Sequence, residues 1–306
     1  MQISIKTPLI YSIPLSKCSS TNVWLKMESA QPTGSFKLRS AGHICSFYAS
    51  KGAGGFISSS GGNAGIAVAH SGRKLGLPVT VVVPETTSVR ARQLIEQEGA
   101  ELIVHGKVWS DANEYALSLA TDKIVYIHPF DNPLLWEGIS TIIDEVISEE
   151  LIPDAVILSV GGGSLVSGII QGLEKHQLSH IPVYAVETHG TASFNASITA
   201  GKLVRLDKVS GIATTLAASQ VCKNAFEVAS RLNVNSMVVS DLEAINACRA
   251  FLDDHRILTE PACGVSLSLL YDRKVRFKPE DNVLVIVCGG ASVTLETLMD
   301  FSVTSI

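Results

Sequence analysis

The segment AVILSVGGGSLVSG, residues 155–168, has the pattern of a strand, a glycine turn and a helix in an α/β protein. Its first residues, Ala155–Leu158, are continuously apolar, which indicates a strand buried on both faces of a parallel sheet. Three glycines follow, and a helix is predicted from about Ser164. Backbone N–H groups in such a turn can cradle an anion. A single phosphate monoester fits best, because the segment has neither GxGxxG with a following acidic residue nor GxxxxGK[ST].

Short apolar runs alternate with helical stretches along nearly the whole chain. This alternation predicts an α/β protein in which helices cover both faces of parallel sheets. A long helix is predicted from about Leu135, after a plausible boundary near Pro133. The predicted strands are centred near Phe56, Val81, Ile103, Tyr126, Leu158, Ala185, Val238 and Ile286.

The composition indicates a compact protein of enzyme size that acts on a small molecule. Of the 306 residues, 46% are hydrophobic and 17% are charged, and the formal net charge is -5. Such a chain can bury a large core, and without Lys/Arg runs it lacks the electrostatic footprint of nucleic-acid and anionic-membrane binders. The apolar runs fall short of the roughly 20 residues that cross a bilayer, and no signal or transit pattern is present, so we expect a cytoplasmic protein.

The six cysteines contain no CxxC pair and the eight histidines no HExxH, so the sequence predicts neither a zinc site nor a disulfide framework. One cysteine has a notable position. In VIVCGGAS, Val285–Ser292, Cys288 ends the last apolar strand. A buried cysteine is usually a small core residue, but here the thiol could face a ligand at the sheet edge.

Two further segments carry residue types suited to chemistry. In SSSGGNAG, residues 58–65, a strand runs into glycines and Asn63, which can cap the next helix. Its backbone amides would hold a small carboxylate or phosphate, although an ordinary glycine turn is equally consistent. In PTGSFKLRS, residues 32–40, Lys37 lies between Phe36 and Leu38. A lysine is usually a solvated surface charge, but in an apolar setting its pKa falls and it can form a Schiff base with an aldehyde.

Together, GSFKLR, SSSGGNAG, SVGGGSLVSG and VIVCGG occur in the order and approximate spacing of the fold-type II pyridoxal-phosphate enzymes. Over almost its entire length the chain resembles this family, and within it the catabolic L-serine/L-threonine dehydratases. The segments WEGISTIIDE, AVETHG and TEPACG are also similar to that subfamily. The resemblance implies a tryptophan synthase β-like fold, with two open, parallel-rich twisted sheets flanked by helices.

The resemblance also implies a role for each matching residue. Lys37 would form the Schiff base with pyridoxal phosphate, Phe36 would lie against the pyridine ring, and Cys288 would face the pyridine nitrogen. The substrate carboxylate would be bound by Ser60, Gly61 and Asn63, and Asn63 would also reach the ring hydroxyl. The cofactor phosphate would be held by the backbone amides of Gly161, Gly162, Gly163, Ser164 and Leu165.

The implied reaction is an α,β-elimination that converts L-serine to pyruvate and ammonia, and L-threonine to 2-oxobutanoate and ammonia. Lys37 would be both the covalent carrier and the general base. A thiol at Cys288, in place of a carboxylate, leaves the pyridine nitrogen neutral or weakly protonated, which favours elimination over transamination. The resemblance to the catabolic dehydratases also implies a role in amino-acid catabolism and gluconeogenesis.

Three alternatives remain open at this point. Serine racemases are similar, but they have a proton-donating serine at the position of Gly61. β-Replacement enzymes of the same fold usually have a serine at the position of Cys288. A low-activity or silent binding homologue is the third alternative, although it would have no need to retain Lys37.

The resemblance finally implies how the chain is organised. Residues 1–33 and 133–306 would form a large cofactor-binding domain, and residues 34–132 a small domain with the Schiff-base lysine and the substrate carboxylate loop. A homodimer is expected. Glu187 and Ser193 resemble positions that bind a monovalent cation, potassium, in related dehydratases.

Overall fold

The structure, a computed structural model, describes residues 2–300 and contains two β-sheets flanked by helices. The strands are β1 (Leu9–Tyr11), β2 (Asn22–Lys26), β3 (Gly55–Ser58), β4 (Val79–Val83), β5 (Glu101–Val104), β6 (Ile124–Ile127), β7 (Ala155–Ser159), β8 (Val183–Thr188), β9 (Val234–Val239) and β10 (Asn282–Ile286). The predicted strands correspond to β3 through β10. The α/β class and the two parallel-rich sheets are thereby confirmed.

Helices follow most of the strands. The α-helices are α1 (Ile13–Ser19), α2 (Lys37–Ser50), α3 (Asn63–Leu75), α4 (Val89–Gln97), α5 (Trp109–Ser118), α6 (Pro133–Ser148), α7 (Ser164–Lys175), α8 (Ser193–Ala200), α9 (Lys223–Arg231), α10 (Asp241–His255), α11 (Pro261–Tyr271) and α12 (Leu295–Asp300). Short 3-10 helices cover Glu28–Ala30, His189–Thr191 and Thr214–Leu216. Within residues 2–300, no helix is long and apolar enough to span a membrane.

The larger sheet has six strands in the order β1-β2-β10-β7-β8-β9. All neighbouring strands are parallel except β1 and β2, which are antiparallel. Every residue of β7 is buried, as expected for a central strand with helices on both faces. The main hydrophobic core joins this sheet to apolar side chains of α6, α7 and α11.

The smaller sheet has four parallel strands in the order β5-β4-β3-β6. A second core cluster packs α2 and α3 against it. All four strands lie between residues 55 and 127. The division into a small domain of residues 34–132 and a large domain of residues 1–33 and 133–306 stays a prediction.

The strands β1 and β2 were not predicted from the sequence. β1 has only three residues, and β2 reads NVWLK, which ends in a charged side chain. Lys26 is nevertheless fully buried, because its Nζ donates hydrogen bonds to Glu145 Oε2 at 2.6 Å and to the Thr7 carbonyl at 2.7 Å. Because the buried residue is a lysine, the sequence lacks the continuous apolar run that identifies a buried strand.

The starts of α3 and α6 differ from the prediction. Asn63 was expected to cap α3, but it is the first helical residue and Gly62 is the N-cap. The reason is that the Asn63 amide is bonded to Glu260 instead of to the helix end. α6 begins at Pro133, two residues before Leu135, because the Asn132 side chain caps it by accepting from the Leu134 N–H.

A buried ion network holds the first turn of α2. The guanidinium of Arg39 bonds to Glu28 at 2.7 Å and to Glu145 at 2.7 Å, and Lys26 completes the network through Glu145. The side chains of Arg39 and Glu28 are 0% exposed, so the two cations and two anions balance one another inside the protein. Because Arg39 follows Lys37 by two residues, the network fixes the helix end on which Lys37 lies.

Candidate active site

Lys37 is the first residue of α2, and its amine lies in an enclosed polar setting. Its Nζ donates hydrogen bonds to the Pro129 carbonyl at 2.8 Å and to Ser164 Oγ at 3.1 Å. Burial lowers the pKa of Lys37 to about 8, against the smaller opposing influence of Cys222 and Cys288. At this pKa roughly a tenth of the amine is uncharged at pH 7, and the uncharged form is the one that acts as nucleophile and proton acceptor.

The three glycines between β7 and α7 form a cradle that leaves no room for side chains. A Cβ atom on Gly162 would overlap the ring of Phe130, and one on Gly161 would lie 2.9 Å from the Leu216 Cα. Gly163 has φ +92°, a conformation that favours glycine. The first N–H groups of a helix have no partner within that helix, so the start of α7 offers donors to an anion.

Cys288 follows β10 by two residues and is only 6% exposed. A hydrogen bond with Cys263, together with burial, raises the pKa of Cys288 well above its ordinary value. The group is therefore a neutral thiol. Its carbonyl accepts the Phe36 N–H at 3.1 Å, and Ser35 pairs with Gly289 as an antiparallel bridge. The segment before Lys37 is thus tied to the end of β10.

The loop between β3 and α3 contains the predicted carboxylate-binding residues. Asn63 donates its amide to Glu260 Oε2 at 3.0 Å, and its Oδ1 accepts the Ala291 N–H at 3.1 Å. The loop therefore lies against the residues that follow β10. Ser60 stabilises the turn itself, since its Oγ accepts the Gly62 N–H at 3.3 Å.

Gly61 lies next to a side chain from another loop. A Cβ atom added to Gly61 would be 2.5 Å from Thr87 Oγ1 and 2.7 Å from Thr87 Cγ2. Thr87, in the loop before α4, therefore fills the space that a larger residue at position 61 would need. This contact could not be predicted from the sequence, because Gly61 follows β3 and Thr87 follows β4.

These contacts bring most of the predicted residues together. Lys37 reaches Ser164 at the cradle, Phe36 is bonded to Cys288, and Asn63 is bonded to the loop after β10. The Lys37 Nζ also lies 5.1 Å from the centre of the Phe36 ring. An amine next to an anion cradle, an aromatic ring and a neutral thiol is a donor set that fits pyridoxal phosphate.

Several residues around the site were assigned no role from the sequence. Pro129 and Phe130 follow β6, and their contacts with Lys37 and Gly162 put them inside the site. Their place after the carboxyl end of a strand was the available signal. Glu260, in the segment TEPACG that matched the family, was also given no role, yet it binds Asn63.

A second group of predicted residues, Glu187 and Ser193, lies at the end of β8 and the start of α8. Glu187 is fully buried and its carboxylate accepts the N–H groups of Phe194 at 2.9 Å and Asn195 at 2.7 Å. Burial raises the pKa of Glu187 to about 8, although these two hydrogen bonds oppose the shift. The Ser193 Oγ is buried and has no hydrogen-bond partner within residues 2–300.

Comparison with known proteins agrees with this geometry. Residues 2–289 match the family described as pyridoxal-phosphate dependent enzyme. This chain belongs to the pyridoxal-phosphate dependent enzyme family. The family and the fold predicted from the sequence are thereby confirmed, and pyridoxal phosphate is the cofactor that the family implies.

Among the curated members of this pyridoxal-phosphate dependent family, a "serine dehydratase-like" protein of Rattus norvegicus is 45% identical, over 96% of this chain and 92% of the relative. A human protein named "L-serine dehydratase/L-threonine deaminase" is 43% identical, over 97% of this chain and 94% of the relative. The structure of a fungal L-serine ammonia-lyase from Rhizomucor miehei superimposes with a TM-score of 0.95 at 35% identity, and all of both chains is covered.

Proposed function

We propose that this chain is a pyridoxal-phosphate-dependent L-serine/L-threonine ammonia-lyase. It converts L-serine to pyruvate and ammonia, and L-threonine to 2-oxobutanoate and ammonia. The observation that carries the proposal is the 3.1 Å hydrogen bond from Lys37 Nζ to Ser164 Oγ, which links the amine to the start of α7 beside the glycine cradle. The names of the relatives described above support the substrate class and the lyase reaction.

The proposed binding residues are those named from the resemblance. Lys37 would hold the cofactor covalently, Phe36 would pack against its ring, and Cys288 would face the ring nitrogen. Ser60, Gly61 and Asn63 bind the substrate carboxylate, with Asn63 also reaching the ring hydroxyl. The cofactor phosphate is held by Gly161, Gly162, Gly163, Ser164 and Leu165. The cradle supports this last assignment because a side chain on Gly161 or Gly162 would meet Leu216 or Phe130.

Bound pyridoxal phosphate supplies an electron sink that makes the α-proton of an amino acid removable. The remaining chemistry belongs to the chain. Lys37 Nζ takes the α-proton, since its pKa of about 8 leaves free amine near neutral pH. Ser164 Oγ and the Pro129 carbonyl orient that amine. The neutral thiol of Cys288 puts no negative charge at the ring nitrogen, which favours elimination.

Two alternatives within the fold have weaker support. A racemase needs a proton donor on the face of the substrate opposite Lys37, and Gly61 has no side chain to provide one. The space that such a side chain would occupy is filled by Thr87. A β-replacement enzyme of this fold would usually have a serine where Cys288 stands. A silent binding homologue is disfavoured because it would have no need to retain Lys37 with its amine bonded to Ser164 at the start of α7.

We further propose that Glu187 and Ser193 help to bind a monovalent cation, potassium. The support is the buried side chain of Glu187 at the end of β8 and the buried Ser193 hydroxyl at the start of α8, which has no hydrogen-bond partner in the described residues. A bound cation would offset the burial that raises the pKa of Glu187. Oxygen ligands of this kind suit a hard cation. The test is turnover in potassium compared with tetramethylammonium: wild type should lose activity in tetramethylammonium, and Glu187→Gln should be slow in both. Equal wild-type rates in the two salts would contradict the proposal.

The finer points of organisation are proposals as well. The family resemblance supports a homodimer, residues 34–132 as a small domain, a cytoplasmic location, and a role in amino-acid catabolism and gluconeogenesis. Light scattering of the purified holoenzyme tests the first of these, because a dimer has twice the chain mass of 32.5 kDa.

The experiment that tests the proposed reaction measures both products. Purified holoenzyme is incubated with L-serine or L-threonine, and the keto acid and ammonia are quantified together. Equal amounts of the two products are expected, and none from Lys37→Ala. Formation of D-serine without ammonia would identify a racemase, and turnover that needs a second nucleophilic substrate would identify a β-replacement enzyme.

A further inference from the structure

Glu260 is a buried carboxylate that the proposed chemistry does not yet use. It is the N-cap residue of α11 and is 3% exposed. Its Oε1 accepts the Ser292 N–H at 2.8 Å and the Ser292 hydroxyl at 2.5 Å. Its Oε2 accepts the Asn63 amide at 3.0 Å and the Thr215 hydroxyl at 2.8 Å. Four donors, from three segments of the chain, therefore converge on one carboxylate.

The three segments come from different parts of the fold. Asn63 begins α3, directly after the loop that follows β3 of the smaller sheet. Ser292 lies in the loop after β10 of the larger sheet, four residues beyond Cys288. Thr215 lies in the 3-10 helix whose last residue, Leu216, covers Gly161 of the cradle. Glu260 thus links the loop between β3 and α3, the loop after β10, and the 3-10 helix that covers the cradle.

The loop after β10 is shaped around this side chain. Gly290 has φ +136°, and a Cβ atom there would overlap the carboxyl group of Glu260. The neighbouring Ala291 N–H donates to Asn63 Oδ1 at 3.1 Å. Glu260 therefore contacts both partners of this hydrogen bond: it lies against Gly290, next to Ala291, and it is bonded to Asn63.

The hydrogen bonds also fix which way the Asn63 amide faces. Its Oδ1 accepts from the Ala291 N–H and its Nδ2 donates to Glu260. If the amide were flipped, its NH₂ would face the Ala291 N–H, and its oxygen would face the Glu260 carboxylate. An amide NH₂ has two hydrogens, and only one is used by Glu260. Asn63 therefore offers its second N–H, a donor, to whatever binds in the loop.

We propose that Glu260 is a positioning residue for substrate and cofactor binding, acting through Asn63. It does so by holding the Asn63 amide with an N–H available and by tying the carboxylate loop to the loop after β10. This inference rests on the proposed function, in which Asn63 binds the substrate carboxylate and the ring hydroxyl. All four hydrogen bonds that Glu260 accepts come from the protein, as expected for a residue that positions others.

The substitution Glu260→Gln tests the inference with little change in shape. A glutamine has one acceptor oxygen and one NH₂ group, so one of the two pairs of donors would face another donor. Because Asn63 contacts are made in the bound substrate as well as during reaction, their loss should raise KM more than it lowers kcat. We expect KM for L-serine and the Kd for pyridoxal phosphate each to rise about ten- to a hundred-fold, the range for losing hydrogen bonds to a charged group.

Hydrogen exchange of the cofactor-free protein gives a measurement that does not depend on turnover. Amides in Gly61–Asn63 and Gly289–Ser292 should exchange faster in Glu260→Gln than in wild type. Glu243→Gln is the matched control. Glu243 is also a carboxylate near a helix start, and it accepts from Ser240 and pairs with Lys274. The control should leave exchange in both segments, KM and the cofactor Kd unchanged.

Two further variants test the same inference if Glu260→Gln does not fold. Thr215→Val and Ser292→Ala each remove one hydroxyl donor to Glu260 and leave the carboxylate in place, and each should raise KM by about three- to ten-fold. Unchanged KM, cofactor Kd and exchange in the folded variants would overturn the role of Glu260. A wild-type protein that makes no pyruvate would instead contradict the proposed function, and the exchange data would still decide whether Glu260 orders the two loops.

Discussion

The Nζ atom of Lys37 lies 3.1 Å from the Oγ atom of Ser164, although 127 positions separate the two residues in the chain. Lys37 starts α2, which packs against the smaller sheet, and Ser164 starts α7, which covers the larger one. The contact therefore joins an amine from one half of the fold to an anion cradle from the other. Pyridoxal phosphate needs both groups, one for its aldehyde and one for its phosphate.

The lowered pKa of Lys37 predicts how fast the cofactor-free protein captures pyridoxal phosphate. Only the neutral amine attacks an aldehyde, so the capture rate should rise with pH up to about 8 and then level off. Stopped-flow absorbance measures this profile. A rate that still increases towards 10.5, the ordinary value for lysine, would mean that burial does not activate Lys37.

Gly162→Ala should weaken cofactor binding, because the new Cβ atom would overlap the Phe130 ring and push the cradle or the ring aside. Overpacking of this kind costs about 1–3 kcal/mol, and if that cost falls on cofactor binding the Kd for pyridoxal phosphate should rise about five- to 150-fold. Fluorescence titration of the cofactor-free protein gives the Kd. The control is Gly54→Ala, whose Cβ would have its nearest neighbour at 3.7 Å. Equal Kd values for the two variants would contradict the prediction.

Gly61 and Thr87 should be energetically coupled. Gly61→Ala sets a methyl group 2.5 Å from Thr87 Oγ1, so it should destabilise the protein and raise KM for L-serine. Thr87→Ala removes Oγ1 and Cγ2, and the double variant should recover part of the loss. Denaturant unfolding of the four proteins gives the coupling free energy, expected at about 1 kcal/mol or more for residues in contact. Strictly additive effects would show that Thr87 does not fill the space beside Gly61.

Arg39→Met should strongly destabilise the protein. The substitution leaves Glu28 buried without its cation and leaves Glu145 paired with Lys26 alone, which costs about 3–5 kcal/mol in free energy of unfolding. Arg73→Met is the control, since Arg73 is 49% exposed and its pair with Glu98 should contribute only about 0–1 kcal/mol. Denaturant unfolding gives the free energy of unfolding of each variant. If the two variants lose similar amounts, the buried network does not stabilise α2 as described.

The strand, turn and helix at residues 155–168 could be predicted because every signal for them is local. The apolar run, the three glycines and the helix start all occur within fourteen residues, and the structure has β7 and α7 at these positions. The residues of the second sheet could be predicted in the same way. Roles for Lys37 and Cys288 came from the resemblance to a family, and these roles stay proposals.

Contacts between distant segments could not be predicted. Asn63 looked like a helix cap, but its amide bonds to Glu260, 197 positions away, and that partner exists only once both sheets have formed. β2 was not predicted because its last residue, Lys26, is charged and is buried only through an ion pair with Glu145. Phe130 likewise packs on Gly162 through tertiary structure alone.

In the function we propose, Lys37 carries pyridoxal phosphate for elimination from L-serine. The most direct measurement is the visible absorption spectrum of the purified holoenzyme before and after L-serine is added, with pyruvate assayed in the same cuvette. We predict the band of lysine-bound pyridoxal phosphate, a change in that band on adding L-serine, and pyruvate formation, all absent in Lys37→Ala. A wild-type protein without the band after added pyridoxal phosphate, or with a band that responds to L-serine without pyruvate, would contradict the account.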